Sequence, residues 1–519
     1  MRLKLFQTTF ALLTLPLWLA PVGFVAAAEK DSSYSAALES IKAADLGRHV
    51  ERLADEALEG REAGTRGALA AAEYLAGEHT KLRFRPAGDD GKFFQSFAPN
   101  FRNVLAMVEG SDPKLRDEVV VVCGHYDHLG YGGMTSLGPY GYVHPGADDN
   151  ASGTAGVLQL ARAVARLAEP LKRSILFAHW DAEEKGLLGS QYWARHPTVA
   201  IRRIVAAINL DMIGRLREGH VSVFGSRSGY GWRRLISFQN DASRLTLDFS
   251  WLLVARADHY PLFDQGIPVL AFHTGLHEDY HRPSDMADRI NSEGLERVVR
   301  LVFGVLTDLA GRPNPPAFRA AARHESPDDE QAALADVAKP VDRLGVGWSE
   351  DVATAGGVRV SSVDPRSPAS RAGLREGDLI ERFASRPLLS DDDFFAAVSA
   401  AKNPATLTVL RAGRDEPLQL TVQLACTPLR WGLSWRVDDA EPGAVILTQI
   451  VPGSPAAIAR LMPGDRIYQV AGRDFADETA FALLAKGARE SLQLLVERDG
   501  RLRVVVLAIR RATPVKRAA

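Results

Sequence analysis

Four short, continuous apolar runs constrain the fold of this chain more than any other feature. They are rich in β-branched residues, and segments of helical length separate them. Continuous apolar runs of this kind are typical of parallel strands buried on both faces of a sheet. Residues 153–167, with apolar side chains at spacings of three and four, are predicted as one intervening helix. The alternation predicts an α/β fold with a doubly wound, mostly parallel sheet. The runs are 119–123, 175–178, 204–210 and 267–272.

Histidine and carboxylate side chains follow these runs. In open α/β sheets, ligands bind beyond the carboxyl ends of the strands, so residues far apart in sequence can converge there. Imidazole and carboxylate together suit zinc, and a catalytic zinc keeps three protein ligands and one open position. Five ligands are too many for one such ion, but with one carboxylate shared they supply three to each of two ions. The five candidate metal ligands are His125, Asp149, Glu184, Asp211 and His281.

Two further carboxylates have predicted roles beside these ligands. Glu183, adjacent to Glu184, is not needed as a ligand and is expected to act as general base on a metal-activated water. Asp127, two residues after His125, is expected to orient that imidazole through its other ring nitrogen. We expect His128 to lie near the metals without binding them.

Taken together, these motifs resemble the di-zinc exopeptidases of the bacterial leucyl aminopeptidase and aminopeptidase Y type. The resemblance covers about residues 45 to 310. It is carried by five segments in a fixed order, and no metal or catalytic position departs from the family pattern. The segments are 124–130, 146–153, 182–190, 209–212 and 280–285.

The resemblance implies a role for each ligand. Asp149 is expected to bridge two zinc ions, with His125 and Asp211 completing one site and Glu184 and His281 the other. It also implies hydrolysis of N-terminal residues from peptides, with Glu183 as base and then acid, and Asp127 as the residue that orients His125.

Three other functions remain open at this stage. Glutaminyl cyclases share this fold and most of these ligands but use one zinc for an acyl transfer within the substrate. Carboxypeptidase-type members of the same fold cleave at the other chain end. A purely adaptor role would require an inactive metal site, whereas every catalytic position is filled in this sequence.

An internal repeat follows the metal-binding region. Residues 345–414 recur 87 positions later at matched glycines, tryptophans and arginines, and the register does not slip. Solenoid repeats have periods of about 20 to 50 residues, so this longer unit indicates two copies of a small domain.

Both copies resemble PDZ domains of the bacterial type. Ser-Pro-Ala and Gly-Asp-x-Ile motifs carry the resemblance in each, and Ala372-Gly373-Leu374 adds to it in the first. In the second copy, Arg460-Leu461-Met462-Pro463 replaces that stretch. PDZ domains bind an extended peptide as an added strand, typically a chain end. Peptide or protein C-termini are therefore expected partners; bracing of the catalytic domain or assembly of oligomers is the alternative.

The predicted domain order follows from these features. A signal peptide is predicted at 1–28, because basic residues precede an apolar stretch that ends in three alanines. A di-zinc peptidase domain is predicted at 35–311, a Pro-rich and then charged linker at 312–342, and PDZ-like domains at 343–425 and 430–510.

The signal peptide implies export to the periplasm or the medium, without stable membrane insertion after its removal. A net charge of -2 over 519 residues gives no basis for nucleic-acid binding. Cys123 and Cys426 are the chain's cysteines and fall in different predicted domains, so no disulfide is expected between them.

Overall fold

The computed structural model describes residues 32–335, 342–348 and 356–508. The predicted signal peptide lies outside these residues. Among the described residues, no helix has both the length and the apolar character required to cross a bilayer.

A mixed sheet forms the core of the first domain. Its strands are β1 (Arg85–Pro86), β2 (Phe94–Phe97), β3 (Phe101–Val108), β4 (Val119–His125), β5 (Ser174–Trp180), β6 (Ile204–Leu210), β7 (His220–Phe224), β8 (Thr246–Asp248) and β9 (Val269–His273). They lie in the order β1-β3-β5-β4-β6-β9-β7-β8, with β2 beside β3. The central strands β5, β4, β6 and β9 are parallel, and antiparallel pairs join them to the strands on either side.

Helices cover both faces of this sheet, which confirms the predicted α/β class. Along β4, Val120 and Val122 face the larger helical layer, which includes α4 and α8, while Val121 and Cys123 face α5 and α7. This double burial explains why the strand sequence is continuously apolar. The helices are α1 (Ser32–Glu39), α2 (Ala43–Leu53), α3 (Arg66–Lys81), α4 (Gly153–Val164), α5 (Leu188–Arg195), α6 (Trp232–Gln239), α7 (His259–Asp264), α8 (Ser292–Gly311) and α9 (Pro327–Ala335).

Strand ends differ slightly from the apolar runs. The run at 119–123 extends as strand through His125, so a candidate ligand is itself the last strand residue. The run at 267–272 becomes strand only at Val269, because Pro268 has no N–H to donate to a neighbouring strand.

The two repeat copies form separate sheets of identical topology. The first contains β10 (Val346–Trp348), β11 (Val358–Val363), α10 (Pro368–Arg371), β12 (Leu379–Phe383), β13 (Arg386–Pro387), α11 (Asp391–Ala400), β14 (Ala405–Leu410) and β15 (Leu418–Val422). The second contains β16 (Leu433–Arg436), β17 (Val445–Ile450), α12 (Pro455–Ile458), β18 (Arg466–Val470), β19 (Arg473–Asp474), α13 (Glu478–Gly487), β20 (Ser491–Arg498) and β21 (Arg501–Ala508). Each copy has its own apolar core, as expected of a duplicated domain.

The second copy packs against the first domain through the tip of its β20–β21 hairpin. The Leu247 N–H donates to the Asp499 carbonyl (2.9 Å), and the Asn240 side chain donates to the Gly500 carbonyl (2.8 Å). Gly500 has φ +75°, and a Cβ there would lie 2.5 Å from the Leu247 side chain. Only glycine therefore fits this contact without displacing its neighbour.

Charged pairs surround this contact. Arg233 on α6 makes two bonds to the fully buried Glu497 (2.9 and 3.2 Å). Arg227 bonds both Glu325 and Asp438, so part of the predicted linker lies in the same interface. The second copy is thus fixed to the first domain by buried ion pairs as well as by backbone bonds.

Candidate metal centre

The sheet brings all five predicted ligands to one edge. His125 ends β4, and Asp211 is the first residue after β6. Glu184 lies in the turn after β5, and His281 lies in the loop after β9. Asp149 belongs to the irregular turn Ala147–Ser152 that precedes α4. Neighbouring parallel strands end at the same edge, so residues 156 positions apart in sequence meet there.

One cluster consists of His125, Asp149 and Asp211, whose ligand atoms all lie within 4.8 Å of one another. The Nε2 atom of His125 is 3.4 Å from an Asp149 oxygen and 3.6 Å from an Asp211 oxygen. The histidine and Asp149 are buried, while Asp211 is partly open to the cavity. Three converging ligands with one accessible side match the requirements of a catalytic metal.

A second cluster also contains Asp149. Its other carboxylate oxygen is 3.1 Å from His281 Nε2, which in turn is 3.3 Å from Glu184. His281 Nδ1 lies 2.8 Å from the Thr135 carbonyl, an arrangement that leaves Nε2 free to bind a metal. Asp149 is therefore the residue that both clusters share.

His128 lies closer to this second cluster than sequence analysis expected. Its Nδ1 atom is 2.8 Å from Glu184 and 3.9 Å from Asp149, and these three residues form a compact group of metal-ligating atoms. Its Nε2 atom is buried and has no hydrogen-bond partner among the described residues. The sequence indicated His128 only by its position three residues after His125. The direction of its side chain depends on the geometry of the turn, which the sequence does not give.

The electrostatics of both clusters fit a divalent cation. Burial lowers the pKa of His281, but bonds to Asp149 and Glu184 outweigh it and raise that pKa to about 10. Burial likewise opposes protonation of His125, yet the charge of Glu183 and the proximity of three further carboxylates raise its pKa well above the usual value. The carboxylates thus exert a negative field that the protein's own cations do not balance, and bound metal ions would balance it.

Glu183 lines the same cavity but belongs to neither cluster. Burial raises the pKa of its carboxyl group well above the usual value; His125 opposes this shift and Glu184 adds to it. A carboxylate with a raised pKa is a better proton acceptor.

Asp127 fixes the turn that carries Glu183 and Glu184. Its carboxylate accepts the backbone N–H of Glu183 (3.0 Å) and of Glu184 (3.3 Å). The distance from its carboxylate to His125 Nδ1 is 3.7 Å, longer than a hydrogen bond, whereas its backbone carbonyl is 3.2 Å from that nitrogen. The orientation of His125 by the Asp127 side chain therefore stays a prediction, whereas the contact of that side chain with the turn of Glu183 and Glu184 was not expected from the sequence.

Buried polar residues behind the ligands hold the loops in place. Arg61 is fully buried and donates to the Tyr126, Pro145 and Gly146 carbonyls, which ties the segment after β4 to the turn of Asp149. Asp285 accepts the Asp149 N–H (3.1 Å). Sequence analysis did not assign these residues, although both lie within the stretch of about residues 45 to 310 that resembles the exopeptidase family.

The metal-ligating atoms face a cavity of about 350 Å³. One wall is apolar and includes Phe224, Val254 and Leu276. The cavity thus places an apolar surface beside the candidate metals and Glu183.

Comparison with known proteins identifies all three folded regions. Residues 103–306 match peptidase family M28, and residues 359–411 and 419–497 each match the PDZ domain. The second PDZ match begins inside β15 of the first copy. These matches confirm the resemblance seen in the sequence.

Similar proteins include Aminopeptidase YwaD from Bacillus subtilis, 28% identical over 41% of this chain and 46% of the relative. Leupeptin-inactivating enzyme 1 from Streptomyces exfoliatus is 27% identical over 49% of this chain and 58% of its own length. The chain thus spans about half the length of these relatives. The Legionella pneumophila LapA aminopeptidase structure is 21% identical, with a TM-score of 0.46 over 54% of this chain and 75% of that one.

Proposed function

We propose that the peptidase family M28 domain carried by this chain is a zinc aminopeptidase with two metal ions. One observation carries the proposal: two clusters of metal-ligating residues share Asp149, while Glu183 lines the same cavity and belongs to neither. Two relatives named above are an aminopeptidase and a leupeptin-inactivating enzyme by name, and the first of these names supports the reaction class.

Zinc would be held by His125, Asp149 and Asp211 in one cluster and by Asp149, Glu184 and His281 in the other. When bound, zinc supplies a Lewis acid that lowers the pKa of water and polarises a carbonyl group. The chain's own part is proton transfer: Glu183 accepts a proton from the attacking water and donates it to the departing amine. Asp127 positions this base through the turn it fixes.

The apolar wall of the cavity indicates the substrate. Phe224, Val254 and Leu276 would contact the first side chain of a peptide, so we propose a preference for apolar N-terminal residues.

Glutaminyl cyclase and carboxypeptidase activities remain the alternatives on this fold. Two clusters rather than one favour hydrolysis over a one-zinc acyl transfer. The first PDZ copy is proposed to bind an extended protein segment, and the amino-terminal sequence supports export of the chain.

The test compares the zinc-loaded protein with its Glu183→Gln variant on matched peptides with free, acetylated and glutaminyl amino termini. We expect cleavage of the first residue from free amines only. Loss of the base is expected to slow this cleavage by about 10²- to 10⁴-fold while both zinc ions stay bound. Glu109→Gln, which changes an exposed carboxylate of the same domain, is the control and is expected to keep full activity.

Three results would contradict the proposal. Cleavage of acetylated peptides would exclude an aminopeptidase, and release of the last residue would indicate a carboxypeptidase. Conversion of glutaminyl peptides to pyroglutamyl products without hydrolysis would indicate a cyclase.

A further inference from the structure

The first PDZ copy contains an apolar groove between strand β10 and helix α11. β10 ends its sheet and pairs with a single strand, β11, so its other edge faces this groove. Trp348 lies against Phe394 (5.0 Å between ring centres) and Phe395 (4.8 Å), and Val398 lies one turn further along the helix. The groove encloses about 140 Å³.

The second PDZ copy lines part of this groove alongside helix α11. Val451 and Pro452, which follow β17, line the same cavity as Trp348. The contact is close, because a Cβ on Gly453 would lie 2.3 Å from the Asp392 carbonyl. The groove is therefore built from both copies and differs from that of an isolated PDZ domain.

The end where a chain terminus would bind already holds a carboxylate. The Asp342 side chain accepts the N–H groups of Leu344 (2.9 Å) and Gly345 (2.6 Å) at the start of β10. Backbone N–H groups of this kind capture terminal carboxylates in peptide-binding domains. Here an incoming carboxylate would have to displace Asp342 and would be repelled by it.

Arg343 lies beside this end of the groove, but its guanidinium is buried and is directed at backbone carbonyls. It donates to five of them at the end of α11 and after β15. Three of the five accept from Nη1 and one from Nη2, so within the described residues a single Nη2 hydrogen has no partner.

A second carboxylate, Asp391, stands at the start of α11. It precedes Phe395 by four positions and Val398 by seven, so these residues share one face of the helix. Asp342 lines the groove, whereas Asp391 lies beyond its lining residues, about 10 Å from Val398 along the helix axis. An extended segment of three or four residues spans that distance.

The equivalent groove of the second copy is closed. Trp431, which stands where the first copy has Leu344, donates its indole N–H to the Ala485 carbonyl (3.0 Å) inside that groove. Trp435 donates to Glu478 (3.1 Å), which links β16 to α13 across its mouth. The second copy thus has a structural role in bracing the first domain, and the groove of the first copy is the one open to a ligand.

We propose that the groove of the first PDZ copy binds an internal, extended protein segment with apolar residues flanked by lysine or arginine, and does not select a terminal carboxylate. The inference rests on the proposed peptide binding by this copy and is independent of catalysis. Two basic side chains would pair with Asp342 and Asp391 while the apolar residues lie against Trp348.

The test measures binding of acetylated, fluorescent peptides to the full-length zinc-loaded protein by fluorescence anisotropy. Acetylation keeps the peptides from being trimmed at their first residue. The probes are Lys-Phe-Val-Lys and Glu-Phe-Val-Glu, each amidated, and Lys-Phe-Val with either a free carboxylate or an amide. We expect the lysine probe to bind about fivefold tighter than the glutamate probe, and the free carboxylate to give no gain over the amide.

Variants assign the effect to this groove. Asp391→Asn and Asp342→Asn are each expected to reduce the preference for lysine and together to abolish it, whereas Glu478→Gln at the matching position of the second copy leaves it unchanged. Trp348→Ala is expected to weaken binding of every probe. The two aspartate variants change exposed or half-buried side chains, so they keep the test valid if the tryptophan variant fails to fold.

Three other results would overturn the inference. Tighter binding of the free carboxylate or the glutamate probe would show that chain ends or acidic segments are selected, with peptide binding itself retained. Absence of binding by all probes would remove peptide binding as well. Self-association that Trp348→Ala abolishes would identify a second copy of the chain as the occupant.

Discussion

Replacing Glu497 with glutamine is expected to release the second PDZ copy from the catalytic domain. Glu497 is fully buried and accepts two bonds from Arg233 and one from the Gly500 N–H (2.6 Å). Removing one partner of a buried ion pair costs about 3–5 kcal/mol, because the other charge stays buried without compensation. Glutamine keeps the shape, and Glu441 also lies near Arg233, so we expect the lower end, about 3 kcal/mol.

A loss of this size shifts the docking equilibrium by roughly 100-fold. Hydrogen exchange followed by mass spectrometry measures this shift, because the Leu247 N–H donates to the Asp499 carbonyl only while the domains are docked. The control is Asp474→Asn, which removes an ion pair with Arg234 whose acidic partner is 61% exposed. Exposed pairs contribute at most about 1 kcal/mol, so exchange at Leu247 should rise less than about tenfold. Equal exchange in both variants would refute the argument from burial.

Three further results are expected. Asp149→Asn removes a ligand shared by both clusters, so the purified variant should contain neither zinc ion by atomic emission; retention of one would contradict the shared position. Burial raises the pKa of Glu325 but bonds to Arg227 outweigh it and lower that pKa, so its stabilisation is complete above about pH 5 and is lost as pH falls through the lower folded value. Small-angle X-ray scattering should therefore show a compact chain from pH 7 to about pH 5 and expansion only at lower pH; expansion near pH 6 would contradict this sign. Exposed Cys426 should react rapidly with a thiol reagent, whereas Cys123 is buried and its thiol pKa is raised by burial, so two rapid thiols would contradict the fold.

The sequence was most informative where burial and chemistry coincide. Doubly buried strands require continuous apolar residues, so their ends, and the candidate ligands His125 and Asp211 placed there, could be located without a structure. The second contact of Asp127 could not, because it depends on a hydrogen bond to the turn after another strand. Arg61 was missed as a support for a similar reason: charged residues are rarely fully buried, and only the folded loops provide its carbonyl partners.

The sequence gives almost no indication of how the second PDZ copy docks on the first domain. The two PDZ copies share their motifs, yet Glu497 of the second copy corresponds to Leu410 in the first, and that position is partly exposed on β14. The difference has meaning only once Arg233, 264 residues away, is known to face it. Long-range ion pairs carry no periodicity, so a single sequence gives no signal for them.

The docked β20–β21 hairpin also covers one edge of the first domain's sheet, which opposes self-assembly. β8 is a terminal strand, and one of its backbone N–H groups is satisfied by Asp499 from the second PDZ copy. Uncovered terminal strands offer unpaired backbone groups to neighbouring molecules and are a common route to aggregation. The first domain produced without the second PDZ copy would therefore expose the edge of β8. Its solubility would be lower even if the metal centre stayed intact.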